Sequence, residues 1–549
     1  MAQQKKKDSF VLQAGILAAA GIIVRIIGLL YRSPLTSIIG LEGNGYYSSA
    51  INMYTIILLV SSYSIPSAIS KVIAQRLAYK EYRNAQRVFQ CALIYVVVVG
   101  AAASLFAFFG ASFLVDVENA VPVLRVFAPT IFFSGLLGVL RGYFQAHGSM
   151  VHTSISQILE QILNAGVSML AAYLLIDLVA DQGETTRAIY GASGSALGTG
   201  AGVLIALLFM FGMYRLNKDV IARRVKRDRS PMQESYKDIF KVIITTVTPF
   251  ILSTFIYNCS TVVNMKIYQN VMKEIEGVEE SLIAIRYGIF ATQAITIVNI
   301  PIAVASSLSS ASIPGISAAF ATHKLKQTRH KVGQATRMTM LIAIPAAVGL
   351  FALSRPIVQF IYPQKEALDT ASDLLRVLAV SVIFYSLSTL TNAVLQGIGK
   401  VNIPVINASI SLVVQVVILI GMLFYTKLDL YALAGANIAY SLIMCILNHA
   451  SVKRYLRYRE EVVKTYLKPG LAALCMGAAA FGVYHGLFYL IGLNRISLLA
   501  AIGVGGIIYF ILIMKLGVVN ESELQAFPKG AMLVHIARKM RLLKESPVK

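Results

Sequence analysis

Tryptophan is absent from this 549-residue chain, so any aromatic girdle at a membrane surface must come from its 27 tyrosines and 25 phenylalanines. Cysteine is scarce. Cys91, Cys259, Cys445 and Cys475 each lie in an apolar run without metal-type spacing, which excludes a zinc ribbon or a disulfide framework and leaves small packing residues. Charge is scarce too: 14% of residues are charged against 57% hydrophobic, and a soluble domain of this length cannot hide so much apolar surface. The seven histidines are scattered, with no HExxH. No Walker-type phosphate loop occurs either, so the residues imply no metal, no cofactor and no nucleotide-driven step.

What remains is a series of apolar runs, each long enough to cross a ~30 Å hydrocarbon core. About fourteen are legible, near 10–31, 46–70, 88–114, 122–146, 152–176, 190–214, 239–265, 287–313, 336–360, 376–397, 402–425, 431–452, 469–491 and 496–515. The Gly/Ser-rich stretch 191–202 is the weakest span core. The expected fold class is an all-α polytopic membrane protein. Lys5, Lys6 and Lys7 ahead of the first run imitate a signal peptide, but the run is long and many spans follow, so a retained first helix is expected.

The net charge of +23 comes from 49 Lys and Arg against 26 acids. Its distribution argues against nucleic acid. With the N-terminus inside and an even number of spans, the clusters Lys71–Arg87, Arg215–Lys241, Lys324–Arg337 and Lys453–Lys468 all fall on the inner face. Acidic residues such as Asp116, Glu118, Asp177, Asp181, Glu184 and Glu274–Glu280 fall outside. This is positive-inside bias, reinforced by anionic inner-leaflet lipid. It leads to the expectation that both termini are cytoplasmic.

One pattern is written twice in the same order. Val139-Leu140-Arg141-Gly142 returns 255 positions later as Val394-Leu395-Gln396-Gly397, and Ser154-Ile155-Ser156 returns at the same offset as Ser409-Ile410-Ser411. Leu124-Arg125-Val126 is echoed by Leu375-Arg376-Val377, and Ser64-Ile65-Pro66 by Ser312-Ile313-Pro314. Two homologous halves follow. An N-terminal lobe at 1–214, an inner-face linker at 215–238 and a C-terminal lobe at 239–452 are expected. Spans 13 and 14 at 453–515 form an appendage, and a basic cytoplasmic tail occupies 516–549. Six spans per half give both halves the same orientation, so the lobes should be related by a pseudo-two-fold along the membrane normal. Such repeats imply alternating access to a site near the midplane.

Polar residues within spans are the functional candidates, because charge in hydrocarbon costs about 2.5–3.5 kcal/mol or more. Of the 26 acids only Glu160 falls inside an expected span. It either carries a proton during a transport cycle or ties span 5 to Arg141 at the end of span 4. Arg25, with Arg32 one to two turns further out, offers bidentate donors to a phosphate group; the bland alternative is an internal ion pair. Asn258 and Asn299 are further candidates for the cavity, although most in-span amides serve as interhelical hydrogen bonds.

With these residues in view the chain resembles the polysaccharide-exporter, stage V sporulation protein B-like and MurJ-like group of lipid-linked saccharide flippases. That group belongs to the multidrug/oligosaccharidyl-lipid/polysaccharide (MOP) superfamily. The motifs are Arg25-Ile-Ile-Gly28 with Arg32, Gly40-Leu-Glu-Gly43-Asn-Gly45-Tyr46 and Ile65-Pro66-Ser-Ala-Ile-Ser70-Lys71. Leu140-Arg141-Gly142-Tyr143-Phe144-Gln145 and Ser156-Gln157-Ile-Leu-Glu160-Gln161 complete them. They cover the first 165 residues well; the second half matches chiefly in layout. The resemblance implies a two-lobed bundle with a cationic central cavity, a groove for a polyprenyl tail at spans 13 and 14, and no catalytic activity. It also implies a basic residue in span 8, where Gln293-Ala-Ile-Thr296-Ile-Val-Asn299-Ile-Pro301 has none and Arg286 stands at the outer start. The expected function is export of a polyprenyl-pyrophosphate-linked saccharide by a monomer in a bilayer with an anionic inner leaflet. The alternatives are a cation-coupled multidrug antiporter and, with less support from the short loops, a membrane-embedded glycosyl- or acyltransferase.

Overall fold

A computed structural model describes residues 2–519 and 534–535, apart from 64, 227, 229–233, 363 and 427. The side chains of 2–19, 22, 63, 67–68, 78, 224, 246–250, 252–254, 257, 310–311, 314 and 321 also lie outside the described residues. So does most of the expected basic tail. Among the described residues every regular element is helical. The chain divides into two compact units, 1–292 and 293–549; the segment 215–238, expected as a linker, lies inside the first.

The first unit contains α1 (Ala2–Leu58), α2 (Ile65–Ala78), α3 (Tyr82–Phe109), the short α4 (Ala111–Leu114), α5 (Val121–Ala146) and α6 (Met150–Leu178). It continues with α7 (Glu184–Leu216), α8 (Lys218–Lys226), α9 (Tyr236–Asn270) and α10 (Glu280–Gly288). Its apolar core is built from α2, α3, α5 and α7, with Phe89, Val139 and Met210 essentially inaccessible.

The Gly/Ser-rich stretch expected as the weakest span core packs closely on its neighbour. A Cβ on Gly194 would stand 2.6 Å from Ala172 Cα, and one on Gly202 would stand 2.5 Å from the Glu160 carbonyl oxygen. Small residues at four-residue spacing let α7 lie backbone to backbone on α6, where dispersion and short polar contacts replace the hydrophobic effect. Ser168 Oγ bridges the two by donating to the Ser195 carbonyl at 2.9 Å.

The segment after α7 is fastened to α2 and α3. Arg76 pairs with Glu234 at 2.8 Å, Arg87 Nη1 donates to the Glu234 carbonyl at 2.8 Å, and the Arg83 amide donates to Asp228 at 2.6 Å. Ser235 then caps α9 by accepting from the Asp238 amide. At the opposite end of α9, Lys266 pairs with Asp116 at 3.1 Å, while Asn119 N–H donates to Glu280 at 2.9 Å. Further along α1, Asn52 donates to Tyr287 at 2.8 Å and Gln269 to Ser49 at 2.8 Å, so α9 and α10 are hydrogen-bonded to α1.

The second unit contains α11 (Ile295–Ala321), α12 (Leu325–Ala352), α13 (Ser354–Ile361), α14 (Leu368–Leu378) and α15 (Ser381–Gly397). It continues with α16 (Asn402–Thr426), α17 (Leu430–Leu456), α18 (Lys468–Ile491) and α19 (Asn494–Lys515). Ile316, Val332, Val394 and Leu456 close its core at one end. The hairpin α18–α19 lies on α12, with Tyr509 donating to the Leu341 carbonyl at 3.1 Å and Lys468 to the Leu516 carbonyl at 2.7 Å. Gly492, in the left-handed region at φ 70, ends α18 before the turn.

The expected count of about fourteen spans is not reached among the described residues. Eleven helices among the described residues are long and apolar enough to cross a membrane, or twelve with α14 and α15 taken as one span bent by 47°. The difference lies in two other places. Expected spans 1 and 2 run together as α1, because the loop between them shrinks to the single residue Gly40 at φ 73, ψ 177. α9 covers the expected span 239–265, but part of its side chains lie outside the described residues.

Candidate functional site

Of the polar residues singled out from the sequence, Arg25, Arg32, Arg141 and Glu160 lie on α1, α5 and α6 of the first unit. Arg141, on the last turns of α5, reaches α6 and donates through Nη2 to Glu160 Oε2 at 2.7 Å. Its Nε donates to Ser156 Oγ at 2.9 Å. Both partners come from the Ser156-Gln157-Ile-Leu-Glu160 turn, because residues four apart share a helix face. The Arg141 side chain is 14% exposed and that of Glu160 30% exposed, so the pair is mostly withdrawn from solvent.

Gln161, next to Glu160, turns towards α1, where its Nε2 stands 3.2 Å from the position a Cβ on Gly28 would take. The Arg25-Ile-Ile-Gly28 motif and the Glu160-Gln161 motif therefore meet, although they are far apart in sequence. Asn164, one turn on, accepts from Ser168 at 2.9 Å and from Thr199 at 3.3 Å.

Arg32 is half-buried on α1, close enough to the buried Tyr47 for its charge to act on that hydroxyl, which is hydrogen-bonded to Thr199 and Tyr31. Arg25 is exposed, among exposed Ile23, Ile26 and Leu30. It forms no ion pair among the described residues. Asn258 is half-buried on α9, and Asn299 is exposed on α11 of the second unit.

Reading the sequence for polar outliers missed the tyrosines. Tyr47 and Tyr54, seven apart on α1, pack on Phe127 with ring centroids 5.6 Å and 4.8 Å away, and Tyr54 lies near enough to Glu160 to feel its charge. Their seven-residue spacing on one helix face was the available signal. Lys331 was missed as well: it donates to the Gly315 carbonyl at 2.9 Å, just after the Ser-Ile-Pro echo.

In the second unit, amides take the place of charge. Asn448 donates to Asn392 at 2.7 Å, and Asn407 donates to Asn448 at 2.8 Å. At the 255-residue offset the counterparts of Arg141 and Glu160 are Gln396 and Gln415. No group of three or more metal-type ligands exists among the described residues.

Among the described residues the first unit thus holds an internally neutralised Arg141–Glu160 pair, a tyrosine-bearing face of α1 and, in Arg25, an arginine without a carboxylate partner.

The family model described as "Lipid II flippase MurJ" matches residues 80–492, 413 of 549 residues, and so runs through both repeats. The lipid II flippase MurJ of Bacillus subtilis (strain 168) is 23% identical over 545 residues, covering 95% of this chain and 97% of the relative. Stage V sporulation protein B of the same organism is 23% identical over 528 residues, with 95% and 98% covered.

Among solved structures, the inward closed conformation of a lipid II flippase MurJ superposes with TM-score 0.64 at 17% identity, covering 90% of this chain and 97% of that one. An inward-facing multidrug resistance MATE family transporter of the MOP superfamily gives 0.58 at 17% identity, covering 79% and 98%. At such identities the structural likeness speaks for the fold, and the family match along three quarters of the sequence speaks for kinship. The chain belongs to the MurJ lipid II flippase family.

Proposed function

We propose that this protein moves a polyprenyl-pyrophosphate-linked saccharide, of the lipid II class, from the inner to the outer leaflet of the bacterial plasma membrane by alternating access. Both termini are cytoplasmic, and the protein works as a monomer. The observation that carries the reading is Arg25: a guanidinium in an apolar stretch of α1, exposed and without a carboxylate partner among the described residues. A planar fork of donors matches phosphate oxygens bidentately. Arg32 and Asn258 are proposed as further substrate contacts of the first unit and Asn299 as a contact of the second, each to be tested by itself, while Arg141 and Glu160 serve as a structural tie.

The physical sense of this assignment lies in the headgroup. A sugar pyrophosphate cannot cross hydrocarbon unaided, and two negative charges leaving an inside-negative cell gain about 4–5 kcal/mol per 100 mV. Coupling to an ion gradient is therefore not required energetically. The hydrogen bonds that join α9 and α10 to α1 are read as the outer closure, which separates when the site opens outward.

The rival reading, a cation-coupled multidrug antiporter, draws on the MATE-like fold but needs an acid available to a cation. The one acid of this site is held by Arg141 at 2.7 Å.

Expression in a strain depleted of its lipid II flippase tests the proposal. The wild-type protein should restore growth; Arg25→Ala should abolish rescue at unchanged membrane abundance, and Arg25→Lys should recover only part. Drug resistance without rescue would favour the antiporter. Loss of Arg25→Ala from the membrane would make Arg25 a structural residue.

A further inference from the structure

A cationic cluster that the proposed function does not use lies in the second unit. Where α17 ends and the chain turns towards α18, a recess of about 550 Å³ opens against α12. Its walls carry Arg329 and Arg337 from α12 and Arg457, Arg459 and Lys464 from the connection, against a single carboxylate, Glu461.

That carboxylate is already engaged. It accepts from Arg337 Nη2 at 2.9 Å and lies 3.7 Å from Lys464 Nζ. Arg329 Nε donates to the Leu456 carbonyl at 2.7 Å, which fixes the rim. Arg457 and Arg459 are exposed and form no ion pair among the described residues. Five cations around one acid repel each other, and the one carboxylate and the Leu456 carbonyl engage Arg337, Lys464 and Arg329 but leave Arg457 and Arg459 without an ion pair among the described residues.

The recess is built on a firm base. Tyr458, 7% exposed, forms its floor, hydrogen-bonded to Thr336, and burial together with Glu460 pushes its hydroxyl up to about 12, so it stays a neutral donor. Gly333 leaves room for that ring: a Cβ there would stand 3.2 Å from the Tyr458 hydroxyl. Arg457 is held in the left-handed region at φ 48, ψ 40, which a β-substituted residue rarely adopts, so the fold imposes the reversal that brings the cations together.

We propose that this recess binds a phosphate-bearing anion the size of a lipid headgroup. Guanidinium forks on two sides of a cavity are the donor set that phosphate oxygens match, and basic residues at span ends lie at the level of anionic headgroups. Occupancy would tie α12 to the α17–α18 connection and so steady the α18–α19 hairpin. The site is independent of Arg25 and Arg32.

The test uses the full-length protein in nanodiscs, with thermal unfolding as readout. Three conditions are compared: phosphatidylcholine alone, phosphatidylcholine with phosphatidylglycerol, and phosphatidylcholine with inorganic pyrophosphate in solution. The wild-type Tm should rise with one or both anions. A rise with phosphatidylglycerol alone identifies a lipid headgroup, and one with pyrophosphate identifies a soluble source. Arg457→Ser with Arg459→Ser, at exposed positions, should weaken the apparent Kd about tenfold per arginine. The control is Arg223→Ser with Lys226→Ser on α8, also exposed, which removes the same charge elsewhere and should respond as wild type. Arg25→Ala should also respond as wild type. No rise with either anion, or the same response in the double variant as in wild type, would overturn the proposal, as would an equal loss in the control.

Discussion

Gly45 on α1 packs against Ala284 on α10 with no room for a side chain. A Cβ at Gly45 would lie 2.9 Å from the Ala284 Cβ, with the Ala284 carbonyl closer still. Gly288, one turn along, approaches the same spot, its Cβ position 2.9 Å from Gly45 Cα. Gly45→Ala must therefore push the helices apart, and overpacking of this kind costs about 1–3 kcal/mol. Gly166→Ala, on an exposed face of α6 with nothing within 4 Å, should instead gain up to about 1 kcal/mol from helix propensity. Detergent-solubilised unfolding of the two variants measures the contrast; equal stability would show that α1 and α10 separate easily.

The Arg141–Glu160 pair is expected to act on stability rather than on transport. Glu160→Gln should cost about 1–3 kcal/mol, less than the 3–5 typical of breaking a fully buried pair, because Glu160 keeps 30% side-chain exposure. Transport per folded molecule should survive with unchanged pH dependence. Arg141→Gln combined with Glu160→Gln should recover part of the stability, since the second repeat carries Gln396 and Gln415 at these positions. A flipping rate in vesicles that follows an imposed pH gradient, and ceases to do so in Glu160→Gln, would assign Glu160 to proton coupling.

Asn448 holds the amide chain of the second unit from a fully buried position. Asn448→Ala removes the acceptor of Asn407 and the donor to Asn392, and interhelical hydrogen bonds of this kind contribute about 0.6–2 kcal/mol each in membranes. The midpoint of thermal unfolding should fall accordingly. An unchanged midpoint would mean that Ser451, which accepts from Asn407 at 3.2 Å, suffices alone.

Topology is open to direct labelling. In a cysteine-free background, a cysteine at Lys326 should react with an impermeant maleimide only from the cytoplasm, and cysteines at Glu184 and Glu276 only from outside. Reversal at one position would mean that the spans between it and the N-terminus are miscounted.

The sequence by itself determined the all-helical membrane class and most of the spans, because hydropathy over some eighteen residues is a local property that a bilayer reads directly. It also marked Arg141 and Glu160 as residues needing partners, since the cost of charge in hydrocarbon does not depend on the fold. Tertiary structure decided which groups met. Gly45 needs a backbone 239 positions away, Gln161 reaches Gly28 across two helices, and the recess beside α12 joins Arg329 to a connection some 130 residues downstream. Such approaches leave no periodicity, because they depend on how whole helices lie against one another and on the small residues that let them come close. The same reason made the Gly/Ser stretch 191–202, expected as the weakest span core, a close backbone contact with α6.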